Sequence, residues 1–123
     1  MRRSRRRFLL KNDKIETYLG FCTKAGKITF GLDRMEQLKR SPYLLLADKT
    51  LSENSMRKAT ELAEKFHCPL LVCEGVSLGE ILHKPACKAA AVSENNLAVA
   101  ILSVAKNNEN YKLLKNVGIG GNI

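Results

Sequence analysis

Cysteine and histidine are the residue types here with the widest chemistry, and the chain carries Cys22, Cys68, Cys73, Cys87, His67 and His83. Thiolates and imidazoles at suitable spacing bind zinc or pair as nucleophile and base. The spacing argues against a metal. Cys68 and Cys73 bracket an apolar run that reads as a strand, and an odd separation sends their side chains to opposite faces, roughly 17 Å apart along the strand at about 3.3 Å per residue. One ion cannot hold both, so neither a metal nor another cofactor is expected. His67 and His83 fall in different segments, each near a cysteine, which leaves a Cys–His pair as the one catalytic alternative. The remaining polar residues sit at helix caps or on helix exteriors, a poor arrangement for catalysis. Free cysteines in a reducing cytosol behave as small core hydrophobes, and the expectation is a protein without enzymatic activity.

Cations are the second group with chemistry to offer. The chain of 123 residues has a formal net charge of +9 and a pI near 9.6. Residues 1–41 hold twelve Lys/Arg and four Asp/Glu, so eight of the nine net positive charges lie in the first third. Clustered cations gain affinity for nucleic acid by displacing counterions from phosphates. Arg2, Arg3, Arg5, Arg6 and Arg7 have no aromatic interleaving before Phe8, which suits an electrostatic arm that attracts RNA without reading bases. Only three apolar residues follow the arginines before Lys11, too short a run for an export signal. No apolar run approaches the roughly 20 residues a membrane helix needs. A cytoplasmic, monomeric protein that makes no membrane contact is expected.

The elements that would position such groups alternate between helix and strand. Asp13 with Glu16 three residues on suits a helix start, and Ile15, Leu19, Cys22 and Ala25 then share one face, with Gly26 as the stop. Lys27 to Phe30 reads as extended. Gly31 opens a second helix with Leu32, Met35 and Leu38 on its buried stripe, which Pro42 ends. Tyr43 to Ala47, Pro69 to Cys73 and Lys88 to Val92 are continuous apolar runs of strand length, the pattern of burial on both faces. Between them, Ser52 caps a helix carrying Met56, Ala59, Leu62, Ala63 and Phe66 inward, and Ser77-Leu78-Gly79-Glu80 is a capping box for a short helix that Pro85 closes. Ser93 leads into a last helix through Leu97, Ala98, Ile101, Leu102 and Ala105. The pattern predicts a single-domain three-layer α/β/α sandwich with a small mixed sheet over residues 12–115, between a basic flexible arm at 1–11 and a glycine-rich flexible tail at 116–123.

Three of these segments in order, Ala25-Gly26-Lys27-Ile28-Thr29-Phe30-Gly31 before a helix, Leu44-Leu45-Leu46-Ala47-Asp48-Lys49, and Ser77-Leu78-Gly79-Glu80 before the last strand, resemble the ribosomal protein "L-seven-Ae" superfamily and within it the bacterial YlxQ-type branch. The likeness spans about residues 13–105. It implies non-catalytic binding of structured RNA, a kink-turn or related bent element, in a ribonucleoprotein of the ribosome or the wider translation machinery. Other translation factors are further partners on this view. The alternative is a protein-interaction module of that machinery using the same fold.

On the residues themselves, a glycine at a helix start lets backbone approach RNA, and the free N–H groups there favour phosphate. The candidate RNA-binding set around it is Lys27, Gly31, Leu32, Asp33, Arg34 and Gln37. The resemblance adds the loop Lys84, Pro85 and Ala86, which in the superfamily touches an extruded nucleotide while nearby cations hold phosphate. Kink-turn readers carry Asn-Glu after the residue that follows the glycine, and a lysine three residues beyond that glutamate; the matching positions here are Asp33, Arg34 and Gln37. Asp33 accepts from a guanine N–H but cannot donate, Arg34 forks onto guanine O6 and N7, and Gln37 lacks a phosphate-seeking charge. These departures bear on standard kink-turn recognition more than on RNA binding as such.

Overall fold

A computed structural model of the protein describes residues 14–115. The arm arginines, the Asp13 cap and the glycine-rich tail lie outside the described residues. Among the described residues, five helices and five strands follow in the order α1 (Lys14–Lys24), β1 (Ile28–Phe30), α2 (Leu32–Glu36), β2 (Leu44–Asp48), α3 (Glu53–Phe66), β3 (Leu70–Cys73), α4 (Leu78–Leu82), β4 (Ala89–Val92), α5 (Asn95–Ala105) and β5 (Tyr111–Lys115).

The three apolar runs become the centre of one sheet because every residue of β2, β3 and β4 finds apolar cover on its own side. Strand order is β1-β4-β2-β3-β5. Only β2 and β3 run parallel, joined by the long crossover through α3, while β4 is antiparallel to both β1 and β2 and β5 is antiparallel to β3. The sheet is therefore mixed. Alternate side chains feed two separate cores. Leu44, Leu46, Leu71, Cys73, Ala90 and Val92 pack against Ile15, Leu19 and Cys22 of α1, Ile81 of α4 and Ile101 of α5. On the other face Leu45, Ala47, Leu70, Ala89 and Ala91 meet Met35 of α2 and Ala59, Leu62, Ala63 and Phe66 of α3. The three-layer α/β/α sandwich expected from the sequence is the fold observed.

Cys68 and Cys73 belong to opposite cores, and all four cysteines are free thiols. Cys87 departs from the expectation of a core residue, being only half-buried. The expected caps at Ser52 and Ser77 are present. Ser52 Oγ accepts from Ser55 N at 3.1 Å and Ser77 Oγ from Glu80 N at 3.4 Å. The cap of α5 is Glu94, one residue after Ser93, and its Oε1 accepts from Leu97 N at 2.7 Å. His67 and His83 end α3 and α4 in the left-handed region, with φ of 54° and 60°.

Three further differences have physical causes. Ala25 is exposed, since the chain leaves the helical path at Gly26, where φ is +68°. The second helix stops at Glu36 and does not reach Pro42. Its end tightens into bonds from Gln37 N to Arg34 O and from Leu38 N to Met35 O, and the residues that follow return the chain from one face of the sheet to β2, where Tyr43 N meets Val92 O at 2.8 Å. The fifth strand, Tyr111–Lys115, is absent from the elements the sequence pattern gives.

Candidate nucleic-acid interface

Gly31 stands where β1 hands over to α2, with φ +93° and ψ 141°, a conformation that L side chains rarely adopt. Its N–H donates to Ala89 O at 2.9 Å, which ties the turn to β4, and its carbonyl accepts from Met35 N at 3.0 Å. A helix of five residues carries little macrodipole, so the turn offers shape and side chains more than a helix end.

The side chains at this turn divide as their positions dictate. Leu32 is half-buried against the α3 core, whereas Asp33 and Arg34 are exposed. Between α2 and the first half of α3 lies a cavity of about 470 Å³ lined by Gly31, Leu32, Asp33 and Arg34 together with Ser55 and Lys58. Lys58 Nζ stands 3.1 Å from Glu36 Oε2 and 3.8 Å from Asp33 Oδ1. Its ammonium thus offsets two carboxylates that would otherwise repel a phosphate at the turn.

Across the turn lies the loop after α4. A second cavity, of about 480 Å³, joins Phe30 and Gly31 to Lys84, Pro85, Ala86, Cys87 and Lys88. Lys84 Nζ sits over the Phe30 ring, 4.9 Å from its centroid. Two segments some fifty residues apart in the chain are thereby joined into one surface, with Gly31 shared by both cavities. Lys27, at the foot of β1, and Gln37, which caps the end of α2, are exposed but line neither cavity.

Sequence reasoning missed Phe30, Ser55 and Lys58 as members of this surface. A signal existed for two of them: Ser55 and Lys58 are three apart on a helix whose inward stripe was legible, so they had to share an outer face. No comparable pattern marks Phe30, whose partner is contributed by a distant loop.

A third cavity, of about 430 Å³, opens at the carboxyl ends of the parallel strands β2 and β3, lined by residues that include Asp48, Lys49, Thr50, Ser77, Pro85 and Lys88. Asp48 is buried there, 6% exposed. Burial pushes its pKa up. Hydrogen bonds from the Thr50 hydroxyl, Leu78 N and Thr50 N, with the charge of Lys88, outweigh that and hold it below the usual 3.8. Leu78 N donates to Oδ1 at 2.8 Å, while Thr50 N at 3.1 Å and the Thr50 hydroxyl share Oδ2. Asp48 is thus the clasp that joins the end of β2 to the start of α4 and so sets where the Lys84 loop begins.

Three of the four thiols are held in the weakly nucleophilic protonated form. Burial pushes Cys68 up to about 12, and burial, reinforced by Glu94, pushes Cys22 up to about 11. Burial also raises Cys87, against bonds and charge that lower it. Each of these three therefore stays protonated at neutral pH. His83 Nε2 lies 3.2 Å from Glu16 Oε2, a contact of the exposed imidazole at the end of α4 with the half-buried carboxylate on α1. Among the described residues no three of His, Cys, Asp and Glu converge to hold a metal ion, and no helix is long and apolar enough to cross a membrane.

No protein-family model matches the chain, and no curated protein matches it. Among solved structures, that of a protein with unknown function from Bacillus halodurans C is similar, with a TM-score of 0.65 over 76% of this chain and 97% of its own, at 13% sequence identity. A likeness at that identity concerns the fold: the same small α/β architecture.

Proposed function

We propose that the protein binds structured RNA without catalysing a reaction, in the cytoplasm and in association with the ribosome or the translation machinery, as the resemblance to the "L-seven-Ae" superfamily implies. One observation carries the reading. The glycine turn and the Lys84–Lys88 loop, singled out separately in the sequence, share a continuous concave surface centred on Gly31. That surface carries the exposed cations Arg34, Lys84 and Lys88 around a patch of backbone and short apolar side chains, a composition suited to phosphates at the rim and an unpaired or bent segment in the middle. The partner on this reading is a bent or bulged RNA, the class that the resemblance implies.

The test is direct binding of the purified chain to a panel of hairpins, some with bulges or internal loops and some fully paired, over a salt series. Tight binding to a subset, weakening steeply as salt rises, supports the reading. Weak binding that ignores salt would point instead to a protein partner in the translation machinery.

A further inference from the structure

Phe30 closes β1 immediately before the glycine turn, with its ring partly packed on the core formed with α1, α4 and α5. The loop opposite is fixed along its backbone. Lys84 N donates to Gly79 O at 2.8 Å, and Cys87 N donates to Lys84 O at 2.8 Å. Gly79 lies so close beneath the loop that a Cβ there would stand 2.7 Å from Pro85 O and 2.8 Å from Lys84 O. The far end of the loop runs into β4, where Ala89 O receives the N–H of Gly31. Backbone contacts thus set the path of the loop but leave the Lys84 side chain, a long and flexible stem, to be placed by something else. The Phe30 ring, 4.9 Å from Nζ, is the group that faces it.

We propose that Phe30 is a positioning residue that acts through Lys84. A cation–π contact holds the ammonium over the cavity between the glycine turn and the loop, so that an RNA phosphate at this seam meets a placed charge. A free lysine loses substantial rotamer entropy when it binds, and the ring removes part of that loss before RNA arrives. The inference rests on the proposed binding of RNA and adds the residue that aligns the two halves of the surface.

The experiment compares the full chain with Phe30→Leu, Phe30→Tyr, Lys84→Met and the Phe30→Leu/Lys84→Met double variant on the tightest-binding bulged hairpin of the panel. NMR of the free proteins is recorded alongside. Phe30→Leu should weaken binding roughly two- to fivefold, the range of an exposed cation–π contact, and Phe30→Tyr should bind as the wild type does. On the Lys84→Met background, Phe30→Leu should change nothing further. In the free wild-type protein the Lys84 side-chain methylene protons should be shifted upfield by the ring, and that shift should vanish in Phe30→Leu. Unshifted Lys84 resonances in the wild type would overturn the clamp without recourse to any variant. Wild-type affinity in Phe30→Leu would do the same, as would an undiminished Phe30→Leu loss on the Lys84→Met background, which would mean that the ring touches RNA itself. Binding to none of the hairpins would overturn the RNA reading and the role of the clamp with it, whereas an unshifted Lys84 defeats the clamp alone.

Discussion

Arg34 is the side chain at the glycine turn whose planar fork suits bidentate recognition of guanine, and its exposure on the rim of the cavity shared with Ser55 and Lys58 leaves that fork available. Arg34→Ala should cost about 1 to 3 kcal/mol on a preferred RNA and much less on a scrambled hairpin. Lys39→Ala removes an equal charge just beyond the end of α2 and should give a smaller loss, blind to sequence. Binding curves of both variants on the two RNAs decide the matter, and equal losses for Arg34→Ala on each would leave only a basic surface. Neither side chain contributes to the buried stripe, so melting temperatures should stay near the wild-type value. Asp48 makes a different kind of prediction, because its carboxylate accepts from three donors in a buried setting. Asp48→Asn turns one acceptor into a donor facing Thr50 or Leu78 and should destabilise the fold by about 1 to 3 kcal/mol at neutral pH. Since the folded carboxyl titrates below its unfolded value, its contribution is fully present above pH about 4 and is lost as pH falls through the folded pKa. Urea unfolding at about pH 7 and about pH 3 should show the gap between wild type and variant shrinking in acid. A gap that stays constant between the two would mean that the carboxylate charge is not what matters.

Between residues and the whole fold stands the α4 element with its loop, where backbone and helix come within touching distance at Gly79. A methyl group at this position cannot be accommodated by a rotamer change, because it meets the carbonyls of Lys84 and Pro85 and not the end of a side chain. Gly79→Ala should therefore push the loop away from the glycine turn, lowering RNA affinity and costing about 1 to 3 kcal/mol of stability, the range for overpacking. Enhanced amide exchange from Lys84 to Lys88, with α1 and α5 unchanged, is the expected signature; uniform loss of protection would indicate general unfolding instead. How legible these elements were follows from how local their causes are. The runs Leu44 to Ala47, Leu70 to Cys73 and Ala89 to Val92 announce themselves because strands covered on both faces must be apolar at every position. The stripes of α1 and α3 follow in the same way from helical periodicity. The strand β5 did not, because an edge strand bonded only to β3 needs one buried anchor: Tyr111 is buried while Leu113 and Leu114 remain exposed, so no alternation marks it. The end of α2 was equally unreadable, as the chain stops being helical where it must turn back to β2, a tertiary requirement that Pro42 only partly signals. Within the candidate site, Gly31 and the Lys84 loop could be found from motif order. Phe30 could not be assigned to it until the sheet had brought β1 and the loop together, and the outer face that Ser55 and Lys58 share gave no sign that it meets the glycine turn.

At the scale of the whole molecule, charge is distributed unevenly between residues 14–115 and the segment that precedes them. Residues 14–115 carry fifteen Lys/Arg and eleven Asp/Glu, whereas residues 1–13 carry six Lys/Arg and one Asp. More than half of the net charge thus belongs to about a tenth of the chain. With fifteen cations against eleven carboxylates, and Lys58 set against Glu36 and Asp33, residues 14–115 have a modest long-range field of their own. On the proposed RNA-binding reading the labour divides: the arginine segment would attract any RNA, and the surface around Gly31 would choose among RNAs. Deleting residues 2–7 should accordingly weaken binding to every hairpin of the panel by a similar factor, and the ranking of the hairpins should not change. The plot of log affinity against log salt should flatten by about 0.7 to 0.9 for each phosphate that the arginines no longer neutralise, the lower figure applying to single-stranded segments. Association should slow more than dissociation accelerates, since steering acts on the approach. The measurement that separates arm from turn is the same deletion made in the Arg34→Ala background. If the two act independently, the losses in binding free energy add on the preferred hairpin, and the selectivity already removed with Arg34 does not fall again. An unchanged salt slope after deletion would show that the arginines touch no phosphates. A reordered ranking would show that they read sequence or shape, contrary to a purely electrostatic role.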